Sequence, residues 1–229
     1  MTSVYGRSDN ARVVDPANPT RISPWLLEES WDARGNRIVY EYLPENNGSL
    51  SRIRYGNHRD DDGPRQWHFE VCFDYGERAL DDLETLAYMP QEARARREDP
   101  FSSYRAGFEI RSERLCRAIF MFHRFDGELD GEPFAVHCTR FDYDESPYVS
   151  QLAQVTQIGL RKEGRGYSTK AMPPLTLGYT KPRSLDGTAI EFKPLTVALG
   201  DGMHDRLFQQ PIDELVDLYG DGLPGILYS

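Results

Sequence analysis

The sequence predicts an all-β fold, in which antiparallel strands form a sandwich or a propeller-like shell with one charged loop or short-helix insertion. Three observations support this prediction. Aromatic residues make up 12% of the 229 residues, with 13 Tyr and 11 Phe, and they favour strands. The 19 Gly and 15 Pro are typical of a chain with many turns. Short apolar runs alternate with these turns, and no long amphipathic helix interrupts them.

The clearest predicted element is a hairpin within residues 31–57. Gly35 tolerates a positive φ, which favours a turn before the first strand at residues 37–42. In that strand Ile38 and Tyr40 share one face with a period of two. A polar turn then leads to a second strand at residues 50–55.

Residues 67–75 form the next predicted strand. Trp67, Phe69, Val71, Phe73 and Tyr75 fall on one face, and the intervening polar residues fall on the other. We therefore expect a half-buried antiparallel strand with one face toward solvent.

Residues 77–100 break the strand pattern. The segment is charged, contains two prolines, and allows a short helical turn at residues 80–86. We therefore expect a surface insertion between strands. Loops of this length are usually functional or mobile.

The second half of the chain predicts further strands. Residues 107–114 lead into residues 115–125, which are apolar on both faces and therefore expected at the centre of a sheet. In the return strand, residues 133–143, we expect Phe134, Val136 and Cys138 to face one way and Ala135, His137 and Thr139 the other. Shorter strands are predicted at residues 152–160, 167–170 and 175–179.

Charge and hydropathy exclude several classes of function. The formal net charge is −10 and the pI is near 5.0, so we expect no nucleic-acid partner, because such binding depends on Lys and Arg. No apolar run is long enough to cross a bilayer, so we expect no membrane segment. The N-terminus lacks the apolar core of a signal peptide.

Candidate metal ligands occur in two turns. Asp217 and Asp221 are the oxygen ligands of a possible Ca²⁺ loop, but Tyr219 and Gly225 stand where further oxygen ligands are wanted. We favour a plain glycine-rich turn. A second oxygen-rich group, His58 with the acidic residues 60–62, is interpreted as a solvated loop. No metal site or cofactor is predicted.

The three cysteines have no metal-type spacing. Cys72, Cys116 and Cys138 are odd in number and lie on strand-like runs. Buried free thiols are favoured over a disulfide framework or a zinc site.

No catalytic constellation is visible. His123 lies within a strand, on the same face as Met121 and Phe125, and His137 on the neighbouring strand could pair with it across the sheet. A structural polar pair explains them as well as catalysis does. The sequence contains none of the common hydrolase, nucleotide-binding or zinc-protease motifs. We therefore predict no catalytic residues and no enzyme.

Six aromatic residues offer an alternative function. They could line a surface that binds a glycan or a protein, although packing between sheets is the favoured interpretation. These residues are Trp25, Trp31, Tyr40, Tyr42, Tyr55 and Trp67.

Several segments together resemble one protein family. The hairpin at residues 31–57 looks like a YD-repeat unit. The stretches at residues 24–42, 52–57, 67–77, 99–125 and 220–228 resemble, in the same order, the SpvB/TcB family, the B components of insecticidal Tc toxin complexes. The most specific of these is DPFSSYRAGFEIR, at residues 99–111.

The resemblance implies a domain organisation. Residues 1–23 would be an extended lead-in, residues 24–210 an SpvB/TcB-like β domain, and residues 211–229 the start of an FG-GAP-like propeller blade. The chain would be either a short reading frame derived from a longer gene or an excised piece of its product, in which the propeller and the YD repeats follow this region.

The resemblance also implies a function. The chain would be a non-catalytic structural module of the β-shell that encloses a toxic payload, with the A and C components of the complex as protein partners. It would be made in the cytoplasm and act outside the cell. One family member carries an ADP-ribosyltransferase domain, but Arg111, Ser112 and Glu113 are predicted to lie in a strand, with no Glu-x-Glu pair in a following turn.

Overall fold

A computed structural model describes residues 1–58, 66–125, 132–180, 214–216 and 225–227. Almost all regular elements in these residues are β-strands; the exceptions are 3₁₀ turns at Asp9–Ala11 and Leu83–Thr85. The strands are β1 (Thr2–Tyr5), β2 (Arg12–Asp15), β3 (Asn18–Trp25), β4 (Leu27–Trp31), β5 (Arg37–Tyr42), β6 (Leu50–His58), β7 (Gln66–Asp74), β8 (Phe101–Ser103), β9 (Ile110–Ser112), β10 (Ala118–His123), β11 (Phe134–Asp144), β12 (Gln151–Glu163), β13 (Gly166–Ala171), β14 (Leu175–Thr176), β15 (Glu214–Val216) and β16 (Gly225–Leu227).

One antiparallel sheet of ten strands organises the fold. Its order is β1-β4-β5-β6-β7-β10-β11-β12-β13, and β14 pairs with β12 beside β13. The pairs β2–β3, β8–β9 and β15–β16 form separate two-stranded sheets. The prediction of an all-β antiparallel fold is confirmed, and the large sheet does not close into a barrel.

The chain divides into two compact units, Met1–Tyr179 and Thr180–Ser229. The first 23 residues, expected as an extended lead-in, contain β1, a 3₁₀ turn, β2 and most of β3, and β1 pairs with β4 in the large sheet. The predicted propeller blade at residues 211–229 lies mostly outside the described residues. The described part of this range consists of the paired strands β15 and β16, so the blade stays a prediction.

The sequence located several strands well. β5 coincides with the predicted strand at residues 37–42, and β7 is displaced by one residue from the predicted 67–75. The run that is apolar on both faces contains β10, which lies between β7 and β11 inside the sheet, as predicted. β12 has 13 residues and is longer than predicted, since it pairs with β11, β13 and β14.

The faces of β7 are opposite to the expectation. Its polar residues Glu70, Cys72 and Asp74 are buried, and its aromatic face is only partly buried. Glu70 and Asp74 can point into the core because Arg52 and Arg78 form ion pairs with them there. The predicted solvated polar face is therefore wrong.

A β-bulge corrects the predicted alternation in β11. Phe120 pairs with Cys138 and Phe122 pairs with Ala135, so one extra residue of β11 lies between these two pairs. Ala135 and Cys138 consequently face the same side and are both fully buried.

The segment at residues 77–100 lies between β7 and β8, where the insertion was predicted, and part of it also covers the sheet. Leu83 and Leu86 are buried against the same core as Phe120 and Phe122. Its charged residues made it look solvated, yet Glu77, Arg78 and Asp99 are buried as well. We call residues 77–100 the covering segment.

The covering segment also touches β13. A Cβ atom on Gly166 would lie 2.7 Å from the backbone oxygen of Glu84, so only glycine allows this close approach.

Within the described residues, no helix is long and apolar enough to cross a membrane.

Candidate protein-interaction surface

A buried polar cluster joins the covering segment to the sheet. The Arg52 guanidinium lies 3.0 Å from the Glu70 carboxylate, and both groups contact the Tyr88 hydroxyl at 2.9 Å. Burial, and then the charge of Glu70, raise the pKa of Tyr88. Because Glu70 is only 5% exposed, its carboxylate interacts with Arg52 and Tyr88 in the interior and not with solvent.

A second buried pair lies beside this cluster. Arg78 donates hydrogen bonds to the carboxylate of Asp74 and to the backbone oxygens of Ala87 and Tyr88. These contacts place the most deeply buried charges in the interior between sheet and covering segment. Their arrangement serves packing and leaves none of these carboxylates open to a substrate.

The candidate histidine pair is not formed. His123 is opposite Phe134 in the sheet, whereas His137 is opposite Met121. The ring of His123 meets the rings of Phe69 and Phe134 edge-on, at centroid distances of 5.0 and 6.0 Å. Burial lowers the pKa of His123, which favours a neutral packing residue.

The candidate metal ligands remain untested or separate. Asp217, Asp221 and the acidic residues 60–62 lie outside the described residues. His58 stacks on His68 with ring centroids 3.9 Å apart. In the part of the chain that the structure describes, no three His, Cys, Asp or Glu side chains come close enough to hold a metal ion.

The cysteines behave as predicted for structural thiols. All three are free, and Cys72 and Cys138 are buried. Burial raises the pKa of Cys72 and Cys116 to about 11 and that of Cys138 to about 12. Neutral thiols of this kind are poor nucleophiles and poor metal ligands.

The transferase candidates lie in a surface hairpin. Arg111 and Ser112 are in β9, and Glu113 follows the strand directly. The Arg111 Nε atom donates to the Glu113 carboxylate at 3.0 Å, in an exposed ion pair.

The six aromatic residues considered for a binding surface are mostly packed, which is the interpretation that the sequence favoured. Only Trp25 is strongly exposed, at 52%. Arginine guanidinium groups cover three of the rings: Arg12 on Trp25, Arg37 on Trp31 and Arg54 on Trp67. Most of this set therefore contributes to packing rather than to an open recognition surface.

Three other aromatic side chains are exposed. Phe101, Tyr104 and Tyr148 are 54%, 66% and 80% exposed. Phe101 begins β8, Tyr104 follows that strand, and Tyr148 lies in the connection between β11 and β12. We call these three residues the exposed aromatic group. The sequence pointed to the segment at residues 99–111 through its family resemblance, but strand periodicity does not show which aromatic side chains stay exposed.

Asp99 joins the segment before β8 to the segment before β12. Arg97 donates two hydrogen bonds of 2.9 Å to its carboxylate, and the Ser150 amide donates another at 2.7 Å. The Arg97 guanidinium also lies 4.8 Å from the centroid of the Phe101 ring. Rigid loops carrying exposed aromatic side chains are suited to protein contacts, since little order is lost when they are covered.

Comparison with known proteins now identifies the family. Residues 1–51 and 46–125 match the family SpvB, described as Salmonella virulence plasmid 65kDa B protein. The chain belongs to the SpvB family. It is 36% identical over 190 residues to the mono(ADP-ribosyl)transferase SpvB of Salmonella typhimurium strain 14028s and to that of Salmonella dublin. The aligned region is 72% of this chain and 32% of each relative, so the chain spans about a third of their length.

Solved structures extend the likeness to Tc toxins. The N-terminal domain of the effector SpvB from Salmonella typhimurium strain LT2 matches with a TM-score of 0.63 and 34% identity, over 69% of this chain and 57% of that one. The crystal structure of TcdB2-TccC3-Cdc42 matches with a TM-score of 0.73 and 32% identity. The match covers 99% of this chain and 12% of the matching chain in that structure. The structure of the Photorhabdus luminescens Tc holotoxin pore matches with a TM-score of 0.74 and 30% identity. The match covers 99% of this chain and 11% of the matching chain in that structure. The chain is thus a Tc toxin-related module.

Proposed function

We propose that this chain is a non-catalytic structural module of a Tc toxin-type B component, contributing to the β-shell that encloses a toxic payload. The observation that carries the proposal is the extent of the structural match. Of this chain, 99% corresponds to a piece that makes up only 12% of the chain in TcdB2-TccC3-Cdc42. A module of this kind is a wall segment whose neighbours belong to the same large polypeptide.

The geometry is compatible with a wall. A wide antiparallel sheet has one face covered by its own chain, and its buried carboxylates pair with Arg52 and Arg78. Such pairing stabilises one arrangement of strands and leaves those groups without a catalytic role. The exposed aromatic group is the surface that we assign to partner contacts.

The partners would be the A and C components of a Tc complex, because the matching structures are a TcdB2-TccC3 complex and a Tc holotoxin pore. Function would then be extracellular, after synthesis in the cytoplasm.

Proteolysis tests the structural role. The chain is digested with trypsin alone and in the presence of TcdB2-TccC3 whose TcdB2 lacks the matching segment. We expect the truncated complex to slow cleavage and to co-elute with the chain in gel filtration. The variant Phe101→Ser/Tyr148→Ser should lose this protection, whereas Tyr5→Ser, which is also exposed, should retain it.

Unchanged cleavage, together with separate elution, would refute the structural role.

The exposed aromatic group favours one second candidate, a recognition module that binds glycans or proteins outside a Tc complex. In that case the chain alone would bind a glycan array, and Tyr148→Ser would abolish the binding.

Catalysis has its own test, since the curated relatives are named as transferases. The chain is incubated with biotinylated NAD⁺ and a eukaryotic lysate. We expect no transfer of label, and labelling that depends on this chain would overturn the non-catalytic assignment.

A further inference from the structure

The sheet ends at an exposed strand. In the part of the chain that the structure describes, β13 is the last strand in the order and its outer side pairs with no other strand. Residues 168–171 are exposed whichever face of the sheet they occupy, unlike the alternately buried residues of β10. An unpaired strand of this kind presents a row of free main-chain groups.

The ladder shows which of these groups point outward. The Met172 amide donates to the Gln157 oxygen at 2.8 Å, and bonded and non-bonded pairs alternate along an antiparallel ladder. The pairs of Ala171 with Ile158 and of Thr169 with Leu160 are therefore non-bonded. The N–H and C=O groups of Thr169 and Ala171 consequently face away from β12.

The same edge is basic in an otherwise acidic chain. Residues 161–170 contain four cations and one carboxylate, that of Glu163, which pairs with Arg161, while the whole chain has a net charge of −10. Gly159, which has no side chain, opens a groove of about 420 Å³ beside Arg161, Ser168 and Lys170. The four cations are Arg161, Lys162, Arg165 and Lys170.

We propose that β13 is a docking edge that takes an extended, acidic peptide segment as an added strand. The outward groups of Thr169 and Ala171 would bond its main chain, and the cations would face its carboxylates. Met172 and Leu175, each 63% exposed, supply apolar contact at the end of the edge. The site is independent of the toxin-related role proposed above, because it rests on the edge itself.

A peptide fits the edge better than another polyanion does. A sulfated glycan or a nucleic acid would use the cations, but it has no regular row of amides and carbonyls to match the strand. The added strand should therefore protect specific amide protons, which a diffuse electrostatic contact would leave exchanging.

The test uses the purified chain and two synthetic decapeptides, one alternating Glu and Val and one alternating Lys and Val. Binding is measured by fluorescence anisotropy, and amide exchange by mass spectrometry. We expect only the Glu–Val peptide to bind and to slow exchange across residues 167–171. Thr169→Pro, which removes one outward N–H and leaves the bonded pairs of the hairpin intact, should weaken binding about fivefold or more.

Two further variants separate the causes. Thr169→Ala retains the amide and should bind like the parent chain. Arg165→Glu/Lys170→Glu retains the backbone and should also lose affinity, at least about tenfold, with a thermal melt to check folding. Equal binding of both peptides, no loss in Thr169→Pro, or binding of heparin without the Glu–Val peptide would each overturn the proposal. Failure of the Glu–Val peptide to bind would likewise overturn it.

Discussion

Arg78 and Asp74 form an ion pair in the interior of the protein. The Nη1 atom of Arg78 lies 2.8 Å from the Oδ2 atom of Asp74, and their side chains are 4% and 0% exposed. Asp74 ends β7 and also accepts hydrogen bonds from the amides of Gly76 and Glu77. One pair of residues thus fixes both the turn after β7 and the covering segment.

Removing the cation should be strongly destabilising. In Arg78→Met the carboxylate of Asp74 stays buried without its charged partner, and we expect a loss of about 3–5 kcal/mol in the free energy of unfolding. Urea denaturation measures it. The matched control is Arg96→Met in the same segment, since Arg96 is 74% exposed and its loss should change stability by less than about 0.5 kcal/mol. Similar values for the two variants would contradict the structural role of the pair.

Asp99 should make stability depend on pH. Hydrogen bonds from Arg97 hold the pKa of Asp99 well below its usual range, although burial opposes this, and Ser150 lowers it further. A pKa lowered in the folded state gives a stabilisation that is present above the unfolded pKa of about 3.9 and is lost as the pH falls toward the folded value.

We therefore expect Asp99→Asn to cost about 2 kcal/mol at pH 7 and progressively less below about pH 4. Urea denaturation of both proteins at pH 7, 4 and 3 measures the difference. Asp142→Asn is the control, because the Asp142 side chain is 40% exposed in a surface pair with Arg140. A difference that stays constant with pH would contradict this origin of the stability.

The cysteines should resist alkylation in the folded protein. Burial raises the pKa of all three thiols, to about 11 or 12, so little thiolate exists at pH 8. We expect slow reaction with iodoacetamide until guanidinium unfolds the chain, and then labelling of all three. Ser168→Cys places a thiol on the exposed part of β13 and should react rapidly. Fast labelling of a native cysteine would contradict the buried placement.

Gly166 tests the contact between the covering segment and β13. An alanine Cβ would lie 2.7 Å from the backbone oxygen of Glu84, so Gly166→Ala should cost about 1–3 kcal/mol. Gly159→Ala in the neighbouring strand is the control, because its nearest such contact is an ordinary 3.8 Å. Thermal denaturation compares the two, and equal melting temperatures would refute the close approach.

Much of the fold could be predicted from local patterns. Alternation over residues 37–42 located β5, and the run that is apolar on both faces located β10 inside the sheet. These predictions succeed because side-chain period and turn chemistry are properties of neighbouring residues.

The candidate sites depended on contacts between distant residues and were predicted less well. Periodicity assigned the wrong face of β7 to the core, because it cannot show that Glu70 meets Arg52 and that Asp74 meets Arg78. The bulge in β11, which carries Ala135 to the side of Cys138, is likewise a property of strand pairing.

Local composition and residue order were sufficient to predict an antiparallel β-fold, free thiols and the likeness to the SpvB family, because each depends on the identity of residues along the chain. The three-dimensional contacts were needed to show that a charged segment covers the core, that Asp99 joins the segments before β8 and β12, and that β13 lies at the edge of the described sheet. The physical reason is that a charge enters the interior only where a distant partner meets it, and an edge exists only where no strand arrives.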